Sequence, residues 1–140
     1  MGLGQVVHLH RPLEEPAYAV ASDDKPKPAA ETIDVFVKQW DWSFRYPNNI
    51  TGNELHLPVS RRTPLNMHAK EVLHSFYIPE FLLQQYIVPG RDIDLVVTPT
   101  RIGKYTLKDS LFSGTYFTLM ATNVHIESLE QYNQWLSQAQ

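Results

Sequence analysis

The stretch Gln39-Trp40-Asp41-Trp42-Ser43-Phe44-Arg45-Tyr46-Pro47 carries aromatic side chains at positions 40, 42, 44 and 46, a strict period of two. Alternate residues of a β-strand point to the same face of a sheet. The spacing therefore predicts a strand that places all four rings on one face. Upstream, Thr32 to Lys38 is rich in β-branched and aromatic residues and predicts another strand, while Pro47-Asn48-Asn49 predicts the turn that follows.

Further short strands are predicted from there to the C-terminus. Prolines and glycines separate several candidates, which are Glu54–Leu57, Pro64–Ala69, Ser75–Ile78, Asp92–Thr98, Lys104–Leu107 and Met120–Ile126. Only the end of the chain has a helical pattern, in which Ser128 is a candidate N-cap in front of Tyr132, Trp135 and Leu136. Short strands between regular turn signals predict an all-β sandwich or barrel with a short C-terminal helix.

The first 30 residues have a different character. Prolines punctuate this segment at positions 12, 16, 26 and 28, and no helical or strand period is visible. We predict a linker over residues 1–30 and a single domain over 31–140. His8 and His10 lie two positions apart in the linker, which is compatible with a metal clamp or with ordinary linker polarity.

The composition excludes several classes of function. The chain has 140 residues and a net charge of −3, so it lacks the basic footprint of a nucleic-acid-binding protein. It has no cysteine, which excludes disulfides, thiolate metal sites and a cysteine nucleophile. Without a phosphate loop, dinucleotide fingerprint or nucleophile elbow, we expect no catalysis by this chain alone. The strand histidines His56, His68 and His125 lack metal-ligand spacing, and we predict that they are packed or surface residues.

Five blocks of sequence, ordered over roughly residues 32–136, resemble the extramembrane cupredoxin domain of subunit II of haem–copper respiratory oxidases. They are the aromatic stretch from Gln39 to Pro47, Asn53-Glu54-Leu55-His56-Leu57-Pro58, Glu71-Val72-Leu73-His74-Ser75-Phe76-Tyr77-Ile78-Pro79-Glu80-Phe81, Val88-Pro89-Gly90-Arg91 and Tyr132-Asn133-Gln134-Trp135. The resemblance implies a cupredoxin-like Greek-key sandwich or barrel over residues 31–140. It also implies that transmembrane helices precede residue 1 in the parent protein.

In the copper-containing branch of that family, this domain holds a dinuclear copper centre. The resemblance places its ligands at His74 and in a loop whose positions here are occupied by Asp109, Leu111, Ser113, Phe117 and Met120. Only His74 and Met120 keep the family's ligand identity, and both bridging cysteines are absent. Because soft thiolates are what bridge two copper ions, we expect no metal and no other cofactor in this domain. We also expect the side chains of Leu111, Phe112 and Phe117 to fill the volume left by the copper ions.

The altered loop resembles that of the bo-type quinol oxidases, as does Gln84-Gln85-Tyr86. Two features depart from that branch, because His74 is retained and Pro89 keeps the copper-branch Pro-Gly. This mixture also resembles the alternative respiratory terminal oxidases of cyanobacteria. The resemblance implies a proton-translocating quinol:dioxygen oxidoreductase in which haems and copper belong to the catalytic subunit.

Trp40 aligns with the tryptophan through which electrons from cytochrome c enter in the copper branch. The resemblance therefore implies that Trp40 is a vestigial electron-entry residue. The cations Arg101, Lys104 and Lys108 beside Asp109 disfavour docking of a cationic cytochrome. We therefore expect a structural domain of subunit II that assembles with subunits I and III. It is expected on the periplasmic or thylakoid-lumen side of the membrane.

Two alternatives stay open from the sequence. One is an electron-transfer domain that accepts electrons from a soluble donor through Trp40 and a mononuclear copper at His74 and Met120. The other is a binding sandwich that has kept only the fold.

Overall fold

The computed structural model describes residues 4–6, 29–111 and 120–139. Within these ranges the chain forms eleven strands followed by one α-helix, which confirms the predicted all-β class and the short C-terminal helix. In chain order they are β1 (Gly4–Val6), β2 (Ile33–Lys38), β3 (Asp41–Tyr46), β4 (Ile50–Gly52), β5 (Leu55–Pro58), β6 (Thr63–Ala69), β7 (His74–Ile78), β8 (Leu83–Ile87), β9 (Ile93–Val97), β10 (Gly103–Leu107), β11 (Thr122–Glu127) and α1 (Leu129–Gln138).

The strands form a cupredoxin-like arrangement of two sheets and a hairpin. The larger sheet has the order β1-β9-β6-β2-β3-β4, the smaller sheet has the order β10-β11-β5, and β7 pairs with β8. Strands that are distant in sequence pair in parallel, β2 with β6 and β5 with β11. These parallel pairings bring together segments that are far apart in the sequence, and they place the candidate sites described below.

The core is built by the period-two pattern that the sequence predicts. Ile33, Val35 and Val37 of β2 are buried, and so are Trp42, Phe44 and Tyr46 of β3, whose sequence suggested the fold. Burying a side chain of this size contributes about 1.5–3 kcal/mol, so these two strands supply a large share of the core.

Trp40 does not share the buried face of β3. The β2–β3 pairing ends at Lys38 and Asp41, so Gln39 and Trp40 form the connecting turn. The Trp40 side chain is 43% exposed. The prediction of four rings on one face is therefore correct for three rings and wrong for Trp40.

Strand β1 lies inside the segment that the sequence predicts to hold no strand. Gly4–Val6 pairs in parallel with Asp94–Val96 of β9 at the edge of the larger sheet. The absence of strand structure was thus wrongly predicted for these three residues. Residues 1–3 and 7–28, including His8 and His10, lie outside the described residues.

Helix α1 begins as the sequence predicts. The Ser128 hydroxyl oxygen accepts a hydrogen bond from the Gln131 backbone N–H at 3.0 Å, which satisfies one of the free donors of the first turn. Tyr132 is buried, and the Trp135 ring packs edge-on against Tyr46 with centroids 4.8 Å apart. The helix therefore covers one end of β3 and β5.

Candidate functional site

Two of the positions that the resemblance predicts for copper ligands, His74 and Asp109, lie together where β7 meets the end of β10. Tyr77 of β7 exchanges two backbone hydrogen bonds with Lys108, at 3.0 and 2.8 Å. This bridge fixes the next residue, Asp109, beside the start of β7. The Asp109 Oδ2 atom lies 2.6 Å from Nδ1 of His74, and both side chains are fully buried.

The carboxylate of Asp109 is the centre of this pocket. Its Oδ1 atom accepts hydrogen bonds from the backbone N–H of Ser75 at 3.0 Å and from that of Leu111 at 3.1 Å. A buried carboxylate is tolerated only when its oxygens are paired and hydrogen-bonded, and here the described contacts provide both. Asp109 thus ties the loop to β7 by two hydrogen bonds, and the third, from Leu111, closes the loop on itself.

A second layer of polar contacts extends the pocket towards β8. The Ser110 hydroxyl donates to the Ser75 hydroxyl oxygen at 2.8 Å, and the Gln84 amide donates to both hydroxyl oxygens, at 3.2 Å to Ser75 and 2.7 Å to Ser110. Ser75 belongs to β7 and Gln84 belongs to β8. Because these two strands pair as a hairpin, the bonds join both of its strands to the loop at Ser110.

The far end of the loop is fixed from the other side of the domain. Met120 is fully buried, and its backbone carbonyl accepts a hydrogen bond from the Trp42 indole N–H at 2.8 Å. Trp42 also packs edge-on against Phe76 of β7, with ring centroids 6.0 Å apart. His74 and Met120, the two positions that the resemblance predicts to keep a ligand, are therefore both buried.

The other positions predicted from the resemblance have mixed outcomes. The Leu111 side chain is 44% exposed, so the expectation that it fills the pocket is wrong. The backbone N–H of Leu111 donates a hydrogen bond to Asp109, whereas its side chain lies largely at the surface. Ser113, Phe117 and the neighbouring Phe112 lie outside the described residues, and their predicted roles stay predictions.

The residues at hand do not fit a thiolate-bridged pair of copper ions. The chain has no cysteine at any position, so the two bridging ligands cannot be supplied. Asp109, which the resemblance assigns to the first cysteine position, is a hard carboxylate oxygen donor already bound to His74 and to two backbone donors.

A second polar cluster lies on the outer face of the smaller sheet, and the sequence analysis missed it. Strands β5 and β11 run parallel with His56 directly opposite His125, and the two imidazoles stack with centroids 4.4 Å apart. His125 Nε2 lies 2.7 Å from Glu54 Oε1, and His56 Nδ1 lies 3.1 Å from Glu127 Oε1. Asn123 donates to the second oxygen of Glu54 at 3.0 Å.

The environment of this cluster lowers the pKa of two of its members, Glu54 and His56. The lowered pKa favours the charged form of Glu54 and the neutral form of His56. Hydrogen bonds from His125 and Asn123 hold the pKa of Glu54 below its usual value, which favours the carboxylate. Burial lowers the pKa of His56, which favours the neutral imidazole, although Glu127 opposes that shift. The local signal in the sequence is the pair of alternations Glu54-x-His56 and His125-x-Glu127, but only strand pairing brings them together.

Comparison with known proteins places the chain in a family. The family model for the periplasmic domain of cytochrome c oxidase subunit II matches residues 49–127. Cytochrome c oxidase subunit 2 of Synechocystis sp. is 35% identical over 106 residues, covering 75% of this chain and 32% of that protein. Cytochrome bo(3) ubiquinol oxidase subunit 2 of Buchnera aphidicola is 30% identical over 129 residues, covering 90% of this chain and 43% of that protein.

A solved structure supports the same fold. The periplasmic domain of subunit II of cytochrome oxidase from Bradyrhizobium japonicum superposes with a TM-score of 0.69 at 23% identity, covering 81% of this chain and 95% of that one.

The chain spans about a third to a half of the length of these two curated relatives. Among the residues that the structure describes, no helix is both long enough and apolar enough to cross a bilayer. The family match covers more than half of the chain and includes β5 to β11. The resemblance read from the sequence blocks is thereby confirmed, and the chain belongs to the family of the periplasmic domain of cytochrome c oxidase subunit II.

Proposed function

We propose that this domain is the extramembrane part of subunit II of a terminal oxidase that has lost the dinuclear copper centre and oxidises quinol. The single observation that carries the proposal is the buried contact between His74 and Asp109. In this contact a carboxylate stands where a bridging thiolate is required, and it already binds the retained histidine. The Buchnera relative, named as a ubiquinol oxidase subunit, supports the quinol assignment.

In this proposal the pocket has exchanged an electron-transfer role for a structural one. Bonds from Asp109 to His74, Ser75 and Leu111 hold the loop in the way that metal–ligand bonds would. The loop is thus fixed without metal, and electrons reach the catalytic subunit within the membrane instead. Trp40 is then a surface residue of the β2–β3 turn with no relay behind it.

The proposed partners are the catalytic subunit I and subunit III, with haems and copper in subunit I. Exposed apolar side chains near the pocket support a protein contact at that end of the domain. Leu73 and Val88 flank the paired residues His74 and Ile87 of the hairpin, and they are 44% and 37% exposed. Tyr86 and Leu111 are exposed as well, at 49% and 44%, and we call these four residues the apolar rim, since exposed apolar side chains of this size are typical of an interface.

We further propose that the linker leads back to transmembrane helices upstream of residue 1, which would hold the domain on the periplasmic or thylakoid-lumen face.

The proposal is tested by assaying the complete oxidase with two electron donors in parallel. Oxygen consumption is measured with a short-chain quinol and with reduced cytochrome c at matched enzyme concentration. We expect turnover with quinol and none above background with cytochrome c. Turnover with cytochrome c that falls on Trp40→Ala would instead support the alternative electron-transfer domain.

A further inference from the structure

The polar cluster on the smaller sheet has the composition of a metal site, and the proposed oxidase function makes no use of it. Leu55, Leu57, Val124 and Ile126 of β5 and β11 face the core, so the alternate residues of both strands face outwards. Glu54, His56 and His125 meet on that outer face. One ligand atom from each residue lies within 4.8 Å of the other two.

We propose that Glu54, His56 and His125 bind one divalent transition-metal ion of the zinc type. Two imidazole nitrogens and one carboxylate oxygen are a donor set that suits zinc and leaves one position of a tetrahedron for water. The site is separate from the His74 pocket, and its ligands are histidine and glutamate side chains only.

Glu127 supplies the outer partner that a metal-binding histidine needs. It lies 3.1 Å from Nδ1 of His56. A proton on Nδ1 that is held by this carboxylate leaves Nε2 with its lone pair free to bind the ion. Carboxylate–histidine pairs of this kind orient metal ligands and fix their tautomer.

The charge of the cluster favours a dication. Glu54 and Glu127 bring two carboxylates to a patch whose histidines need carry no charge. The same carboxylate that binds His125 is held ionised by its hydrogen bonds, and burial favours the neutral form of His56. A divalent ion would neutralise the charge of the two carboxylates.

The ion would take the place of the proton between Glu54 and His125. Their 2.7 Å contact is a hydrogen bond, so the ion must displace the proton that lies between them. An imidazole binds a metal in the plane of its ring, and the stacked rings of His56 and His125 are tilted by only 19°. One ring must therefore turn when the ion binds.

His125 is the ring that turns. The His56 ring is held between Glu127 and Trp135, whose centroid lies 3.8 Å away, and its side chain is only 11% exposed. The His125 side chain is 25% exposed and its partner Glu54 is 40% exposed. This open side also gives the ion its route from solvent.

The test is a calorimetric titration of the full chain with Zn²⁺ alone. His8→Ala/His10→Ala serves as the reference background, because it removes the histidine pair of the linker. We expect one Zn²⁺ per chain in that background. His125→Ala and Glu54→Gln should each weaken binding by more than about 100-fold, and Glu127→Gln by about 10- to 100-fold, the range for an outer partner of a metal ligand.

His68→Ala is the matched control. His68 is also a strand histidine beside a carboxylate, with Nδ1 3.0 Å from Asp92, but it belongs to the other sheet. It should leave the affinity unchanged. Thermal unfolding of each variant without metal shows that it is folded, and Glu54→Gln changes a partly exposed side chain that the fold should tolerate.

Three results would overturn the site. The first is no binding by the reference background at millimolar Zn²⁺, and the second is affinity that survives both His125→Ala and Glu54→Gln. The third is binding that His68→Ala removes. None of these results bears on the quinol and cytochrome c assay, so this inference and the proposed function fail separately.

Discussion

Replacing Asp109 by alanine removes the group on which the pocket is centred. The carboxylate receives hydrogen bonds from the Ser75 and Leu111 backbone N–H groups and lies 2.6 Å from His74. The Ser75 donor and the His74 ring are fully buried, so water cannot replace the lost acceptor for either. Leaving a buried polar group unsatisfied costs about 1–3 kcal/mol, and breaking a buried pair costs about 3–5 kcal/mol.

We therefore expect Asp109→Ala to lower the free energy of unfolding by about 3–5 kcal/mol. The assay is urea unfolding followed by tryptophan fluorescence. Asp109→Asn is the matched control, because it keeps an oxygen acceptor for the two N–H groups and should cost roughly half as much.

The double variant His74→Leu/Asp109→Leu separates pairing from packing. Replacing both members of a buried pair by apolar groups costs far less than removing one. We expect the double variant to be more stable than Asp109→Ala, with an interaction free energy above about 1 kcal/mol in the corresponding leucine cycle. A loss below about 1 kcal/mol in Asp109→Ala would refute the reasoning, because the pocket would then not depend on this carboxylate.

Three further predictions concern the helix, the core and the loop. Ser128→Ala removes the N-cap of α1 and should lower the free energy of unfolding by about 1 kcal/mol, whereas Ser128→Asp should restore it; equal stability of the two variants would show that the cap is idle. Tyr46→Phe removes the hydroxyl that donates to the Glu54 carbonyl at 2.7 Å and accepts from the His56 N–H at 2.9 Å, and should cost about 1–3 kcal/mol in the same urea assay; no loss would mean that water replaces the hydroxyl. Restoring the copper-branch ligands through Asp109→Cys, Leu111→Glu, Ser113→Cys and Phe117→His should give a purple protein when copper is added, and a folded but colourless variant would show that the ligand positions are misassigned.

The sequence predicted the elements whose buried faces follow a simple period. Strands β2 and β3 alternate buried and less buried residues, and the cap of α1 is a local pattern of four residues. Strand β8 escaped prediction because the middle residue of its inner face is Gln85, so its burial alternates along the strand but its hydrophobicity does not. Trp40 obeys the period in sequence but lies outside the strand, because the β2–β3 turn sets where pairing begins.

The two candidate sites were predictable to different degrees. The family resemblance identified His74 and Asp109 as positions of one pocket, but not that they contact each other, since they are 35 residues apart. The cluster of Glu54, His56 and His125 depends on the parallel pairing of β5 with β11, strands about 70 residues apart. Local patterns in a single sequence do not reveal which distant strands are neighbours. These three residues have no recognisable spacing, so only the folded structure shows that they lie together.

The most direct test of the proposed loss of copper from the pocket is the copper content of the His8→Ala/His10→Ala chain after exposure to excess Cu²⁺ and removal of loosely bound ions. Cu²⁺ binds nitrogen and oxygen donors at least as tightly as Zn²⁺, so the outer-face cluster should take up one ion. We expect this copper to be lost in His125→Ala/Glu54→Gln and to persist in His74→Ala. Two copper ions per chain that disappear on His74→Ala would contradict the structural role of the pocket.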